Sequence, residues 1–150
     1  MRLDLDLLRY KDQLQIRRDD GKSFIFDPVR KKWLVLQPEE MVRQLVRCYL
    51  TEERGYRKTR LSMERGIQVN SLQRRFDLLA YDAAVEPFLL IECKAPKVKI
   101  GPAVFEQAAW YNTQLRVPYL MVTNGMDTYC CAMDYDQRNF TFLDTVPEGR

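Results

Sequence analysis

The apolar run Phe88-Leu89-Leu90-Ile91-Glu92-Cys93-Lys94 carries a carboxylate and an ammonium two residues apart. In a strand, residues two apart point to the same face, so Glu92 and Lys94 share one. The preceding run, Arg74-Arg75-Phe76-Asp77-Leu78-Leu79-Ala80-Tyr81, carries a single acid inside an equally apolar stretch. Asp82, Glu86 and Pro87 between the runs suit a hairpin connection, which would bring Asp77 beside Glu92. Two carboxylates and an ammonium then converge on one rim of a sheet. Buried charges cost on the order of several kcal/mol each unless they are paired or bound to metal, so a fold that gathers three has a use for them. The chemistry that fits is metal-assisted phosphodiester hydrolysis. Hard oxygen ligands such as Asp77 and Glu92 suit Mg²⁺ or Mn²⁺, which keep several waters and share coordination with a substrate phosphate. A neighbouring Lys94 can position the attacking water or offset charge developing on the phosphate. The bare pattern also describes a hairpin with charges exposed at a sheet edge. Phe88 to Ile91, apolar on both faces as in a central strand covered by helices, favours the site.

The elements that must hold this hairpin are legible. Asp19-Asp20-Gly21 sits between the strand-like runs 13–17 and 23–26, a hairpin signal, and residues 32–36 suit a third strand. Pro38-Glu39-Glu40 opens a helix with proline and acids in its first turn, and Val42, Leu45, Val46, Tyr49 and Leu50 form its apolar face. That helix is expected to end near Gly55. Strands are expected at 63–69 and 72–81 around Asn70-Ser71, and a second helix at 103–114 after Gly101-Pro102. Strands at 119–123 and 129–133 flank the Asn124-Gly125 turn, and a last one at 139–143 precedes a polar tail. The reading is one α/β domain. Residues 1–37 form a β lead-in with an amino-terminal β-hairpin extension, 38–133 the core, and 134–150 the last strand and tail.

The core resembles the PD-(D/E)xK nuclease superfamily, and within it the amino-terminal nuclease domain of type I restriction enzyme R subunits. The resemblance rests on Pro38-Glu39-Glu40-Met41-Val42-Arg43-Gln44, Phe76-Asp77-Leu78-Leu79, Leu90-Ile91-Glu92-Cys93-Lys94-Ala95-Pro96, Phe105-Glu106-Gln107-Ala108-Ala109-Trp110-Tyr111-Asn112 and Val122-Thr123-Asn124-Gly125. It covers about residues 38 to 133. It implies a restriction-endonuclease-like fold, a central mixed β-sheet flanked by helices in the order α-β-β-β-α-β. The strand before Asp77 lacks the proline of the superfamily's name, and the chain holds no helicase or translocase module. The resemblance implies that a first-helix glutamate joins the metal cluster. Glu39, three residues before Val42 and seven before Val46, leans toward the apolar face and is expected to fill that role, while Glu40 is expected to point away. Acids at a helix amino terminus are also favourable in their own right. The Gln-x-x-x-Tyr spacing of Gln107 and Tyr111 puts both on one face of the second helix. The resemblance assigns them to the site or to DNA, and core packing is the other reading of Tyr111.

The rest of the composition narrows the chemistry. The chain has no histidine, and Cys48, Cys93, Cys130 and Cys131 form no CxxC pair, which argues against a structural zinc site and against Ser-His or Cys-His nucleophiles. Cys130 and Cys131, neighbours in an expected strand, should point to opposite faces. No apolar run is long enough to span a bilayer, and the amino terminus has no signal-peptide core, so a cytoplasmic protein with no membrane partner is expected. The net charge of +3 divides unevenly: residues 1–75 hold 18 Lys/Arg and 11 Asp/Glu, residues 76–150 hold 6 and 10. Basic clusters such as Arg74-Arg75, with Lys97 and Lys99 just beyond the Glu-x-Lys strand, suit phosphate neutralisation and make DNA the expected partner. The sequence has no Gly-x-x-x-x-Gly-Lys-[Ser/Thr] phosphate loop. Efficient cutting of a duplex is therefore expected to need restriction-modification or motor subunits, or a homodimer. The rival reading is a catalytically inactive DNA-binding or assembly module that keeps the nuclease fold.

Overall fold

The hairpin that carries the acids is closed by Asp82. Its backbone amide donates to the Glu86 carbonyl at 2.9 Å, and its carboxylate accepts from the amides of Ala84 and Glu86 at 2.9 and 3.0 Å. In the computed structural model, which describes residues 2–69, 72–111 and 115–149 with side chains outside 64–75 and 110–114, this hairpin lies inside a six-stranded sheet. Its strands are β4 (Leu61–Val69), β5 (Leu72–Tyr81), β6 (Pro87–Cys93), β7 (Tyr119–Thr123), β8 (Thr128–Asp134) and β9 (Asn139–Phe142), paired in chain order. All neighbours are antiparallel except β6 and β7, which run parallel. A parallel pair needs a crossover, and α2 (Pro102–Tyr111) supplies it. β6 is thereby central, with Phe88 to Ile91 all buried, as its apolar run requires.

The sheet separates two cores. On one side α1 (Pro38–Glu53) lays Val42, Leu45, Val46, Tyr49 and Leu50 against Leu78, Ala80, Leu89, Ile91, Met121 and Cys130. On the other, Phe105, Ala108 and Ala109 of α2 pack on Leu79, Leu90, Leu120, Val122 and Cys131. Cys130 and Cys131 thus face opposite cores, as alternation along a strand demands. The result is a mixed α/β fold with helices on both faces of the sheet.

The amino-terminal region is larger than a hairpin. A 3-10 helix (Leu7–Gln13) precedes a three-stranded antiparallel sheet of β1 (Ile16–Asp19), β2 (Lys22–Asp27) and β3 (Lys32–Val35). Asp20 and Gly21 both have positive φ, at 51° and 77°, the two-residue turn that matches strand twist. Leu3, Leu7 and Tyr10 complete the core on the α1 side. α1 stops at Glu53, slightly short of Gly55, and α2 runs over Pro102–Tyr111; residues 112–114 of the expected second helix lie outside the described residues.

Candidate active site

Within the hairpin, Leu78 pairs with Ile91 and Leu79 with Leu90, and one further step of that register sets Asp77 across from Glu92. Asp77 is fixed through both oxygens: Oδ2 accepts from the Cys93 amide at 2.7 Å and Oδ1 from the Arg43 guanidinium at 2.6 Å. Lys94 follows directly on β6, and its amide extends the parallel ladder by donating to the Thr123 carbonyl at 2.8 Å. The sheet therefore brings Asp77, Glu92 and Lys94 together as the spacing predicts.

Their electrostatics follow from crowding. Burial pushes the Asp77 carboxyl above the ordinary range, against the Cys93 amide and Arg43, which favour its charged form. Glu92 is raised to about 7, first by burial and then by the Asp77 charge, with Lys94 pulling the other way. Glu39 adds its charge to both carboxyls and raises them further. Two acids facing each other in poorly hydrated surroundings share a proton or a cation, and near neutral pH Glu92 stands at that balance.

The first helix corrects the sequence reading. Glu40, expected to point away, is buried, and Glu39 is the half-exposed one, with 46% of its side chain open. Arg43 explains the exchange. Its guanidinium reaches Glu39 at 3.1 Å, Glu40 at 3.3 Å and Asp77 at 2.6 Å, so the acids of α1 gather around it. Glu40 also accepts from Arg30 at 2.6 Å and Gln44 at 3.2 Å, and Arg30 in turn pairs with the fully buried Asp27. A continuous ion-pair chain thus runs from the β2–β3 turn through α1 to the sheet rim. Sequence reasoning missed Arg43, Glu40 and Arg30. The available signal was the spacing of Glu40, Arg43, Gln44 and Arg47 along one helix stripe.

Behind the site, the turn after β7 holds the loop that leaves β6. Asn124 is buried; its amide nitrogen donates to the Val98 carbonyl at 2.8 Å, and its oxygen accepts from the Met126 and Asp127 amides at 2.9 and 2.6 Å. Gly125 follows at φ 91°, and a Cβ there would meet Val42 Cγ2 at 3.3 Å, so α1 closes tightly over this turn. Lys97 and Lys99 are exposed on the loop so anchored. Gln107 is exposed on α2, outside the hydrogen-bond network around Asp77. Arg74, Arg75 and Tyr111 belong to β5 and α2, and their side chains lie outside the described residues.

Among the described residues, no group of three or more His, Cys, Asp or Glu side chains is gathered as a metal site. The facing pair Asp77 and Glu92 nonetheless suits a hard divalent ion, which is held through one or two carboxylates with water and phosphate completing its shell. The donors are all oxygens, and an ion between them would offset both the burial and the Asp77 charge that lift Glu92. Among the described residues no helix is long and apolar enough to cross a membrane.

Comparison with known proteins agrees with this fold. A search of curated proteins finds no match. A fragment described as an HsdR subunit of a type I restriction enzyme from Vibrio vulnificus YJ016 matches in structure with a TM-score of 0.52 at 20% identity. The match covers 75% of this chain and 24% of that one, so this chain spans about a quarter of its length. That likeness shows the fold. The family model for the type I restriction enzyme R protein N terminus matches residues 38–147, which contain Asp77, Glu92, Lys94, Glu39 and Arg43 but not the first three strands. Over the greater part of its length, therefore, the chain belongs to the family of type I restriction enzyme R protein amino-terminal regions.

Proposed function

We propose that the protein is a Mg²⁺-dependent DNA endonuclease domain that hydrolyses phosphodiester bonds at the Asp77–Glu92–Lys94 rim. The observation that carries this reading is the facing carboxyl pair, with Glu92 raised to about 7 beside Lys94. Acids raised above their ordinary range and grouped with a cation at the end of a central strand are what hydrolytic sites need, and packing alone gives no reason for them. Asp77 and Glu92 would hold the ion, and Glu39, now paired with Arg43, keeps only the ligand role that the family resemblance implies; when bound, Mg²⁺ supplies charge for the phosphate oxygens and acidifies a bound water. The Cys93 amide and Arg43 orient the Asp77 carboxylate. Lys94 assists the attacking water and offsets charge on the phosphate. Lys97 and Lys99, exposed beyond Lys94, would meet flanking phosphates, and the sequence's Arg74-Arg75 cluster would add to them. Gln107 and Tyr111 keep only the supporting role that the family resemblance implies.

One observation favours a second reading, a DNA-binding or assembly module without catalysis: Arg43 already neutralises Asp77 at 2.6 Å. Supercoiled plasmid incubated with Mg²⁺ or Mn²⁺ separates the two. Asp77→Asn, Glu92→Gln and Lys94→Ala should each slow nicking by about a hundredfold or more while leaving the melting curve cooperative. If wild type never nicks, or if all three variants nick at the wild-type rate, the catalytic reading fails. We also expect the lone chain to nick far faster than it linearises, because one site addresses one strand at a time. A restriction-modification or motor partner, or a second copy, would supply the other cut.

A further inference from the structure

We propose that the solvent face of the β1–β3 sheet binds single-stranded DNA by stacking its bases on Trp33. Alternation along the strands sorts this sheet into two unlike faces. Ile25 and Asp27 point inward and are fully buried, Asp27 tying the β2–β3 turn to Arg30 and thence to Glu40 of α1. The opposite face carries Arg17, Phe24 and Val35 in one cross-strand row and Phe26 and Trp33 in the next. Trp33 is 36% exposed and Val35 52%, and Phe26 supports Trp33 with its ring centroid at 5.4 Å. The Arg17 guanidinium lies over the Trp33 ring, 4.5 Å from its centroid. Aromatic and guanidinium planes are the surfaces on which unpaired bases stack.

The charge around these rings selects the occupant. By the same alternation Arg17 and Lys22 share the aromatic face with Asp19, Lys31 is exposed in the β2–β3 turn, and Arg18 and Lys32 lie in the rows of the other face. A basic apolar face repels a second copy of itself and attracts a polyanion. A duplex would satisfy the cations but hides its bases from the rings, whereas a single strand uses both. This sheet precedes residue 38, so the family match at 38–147 assigns it nothing, and its function does not depend on the carboxylate rim.

The test is fluorescence anisotropy with a labelled 12-nucleotide oligothymidylate, in chelator so that cleavage cannot interfere. Wild type should bind the single strand more tightly than a 12-base-pair duplex. Trp33→Ala and Arg17→Gln should each weaken binding by about tenfold, within the range for loss of one stacked base. Trp33→Phe should stay within about threefold of wild type. Trp33→Lys decides between stacking and charge: it adds a cation and removes the ring, so binding should fall. Unchanged or tighter binding by Trp33→Lys, equal competition by the duplex, or tighter binding of the matching RNA strand would overturn the proposal. Arg17→Gln, at an exposed position, keeps the test open should the Trp33 substitutions unfold the small sheet.

Discussion

Arg43 holds together acids that would otherwise repel. It meets Asp77, Glu39 and Glu40 at once; helix spacing announces the two glutamates, but nothing among its neighbours announces Asp77. Asp77 lies 34 residues away in the chain, so no local pattern pairs the two. Asp77, Glu92 and Lys94 were legible because charge inside an apolar strand is conspicuous, whereas Arg43 and Glu40 on a helix read as ordinary solvated residues. The same crowding makes stability depend on pH. Glu92 has a folded value of about 7 against 4.5 in a free chain, so the folded state binds its proton more tightly than the unfolded state does. That contribution is complete below about pH 4.5 and is lost as pH rises through 7. Without divalent ions, the melting temperature of wild type should therefore fall over this window, by an amount worth up to about 3 kcal/mol. Glu92→Gln should flatten the fall, and Mg²⁺ should raise the wild-type melting temperature more at pH 8 than at pH 5. A wild-type pH profile identical to that of Glu92→Gln would show that Glu92 is not the proton-binding group.

At the scale of elements, strand order was readable wherever turn chemistry or apolar runs were strong. The Asp82 and Asn124-Gly125 turns and the α1 stripe Val42, Leu45, Val46, Tyr49, Leu50 all formed as expected. The 3-10 helix Leu7–Gln13 was not foreseen, because Leu7 and Tyr10 alone give no period; their burial comes from α1, which is distant in sequence. Asn124 shows how a turn can govern a site. Its side chain closes its own turn and also holds the Val98 carbonyl, midway along the loop of residues 94–101. Asn124→Ala leaves that carbonyl unpaired, at a cost of about 1–3 kcal/mol. The melting temperature should drop by roughly 2–4 °C per kcal/mol for a chain of this size. Plasmid nicking measured well below the melting range should fall further than the unfolded fraction explains, since the loop carrying Lys94 and Lys97 loses its anchor. Nicking unchanged in Asn124→Ala would mean that the loop is positioned by the sheet alone.

For the whole molecule, the boundary of the family match is not a boundary of stability. Residues 38–147 contain the sheet and both helices, yet Leu3, Leu7 and Tyr10 are buried in the core on the α1 side, and Tyr10 and Arg9 both reach Glu53. Full burial of such side chains contributes about 1.5–3 kcal/mol each, comparable in sum to the 5–15 kcal/mol that typically holds a domain together. Arg30 is also an ion-pair partner of the buried Glu40 and is lost with the lead-in. A fragment of residues 38–150 should melt at least 10 °C below the full chain, or lose its cooperative transition, by circular dichroism. Equal melting of the two would show that the lead-in is an appendage and not part of the core.

The division of the core by the sheet reaches down to a single peptide bond. Cys130 looks into the α1 core and Cys131 into the α2 core, both fully buried and both pushed up to about 12 by that burial. Neither thiol reacts while its own core is closed, because the thiolate is the reactive form. The chain thus carries two native clocks on adjacent residues. Alkylation of the first ahead of the second times an opening confined to the α1 side, and simultaneous alkylation times the parting of both layers at once.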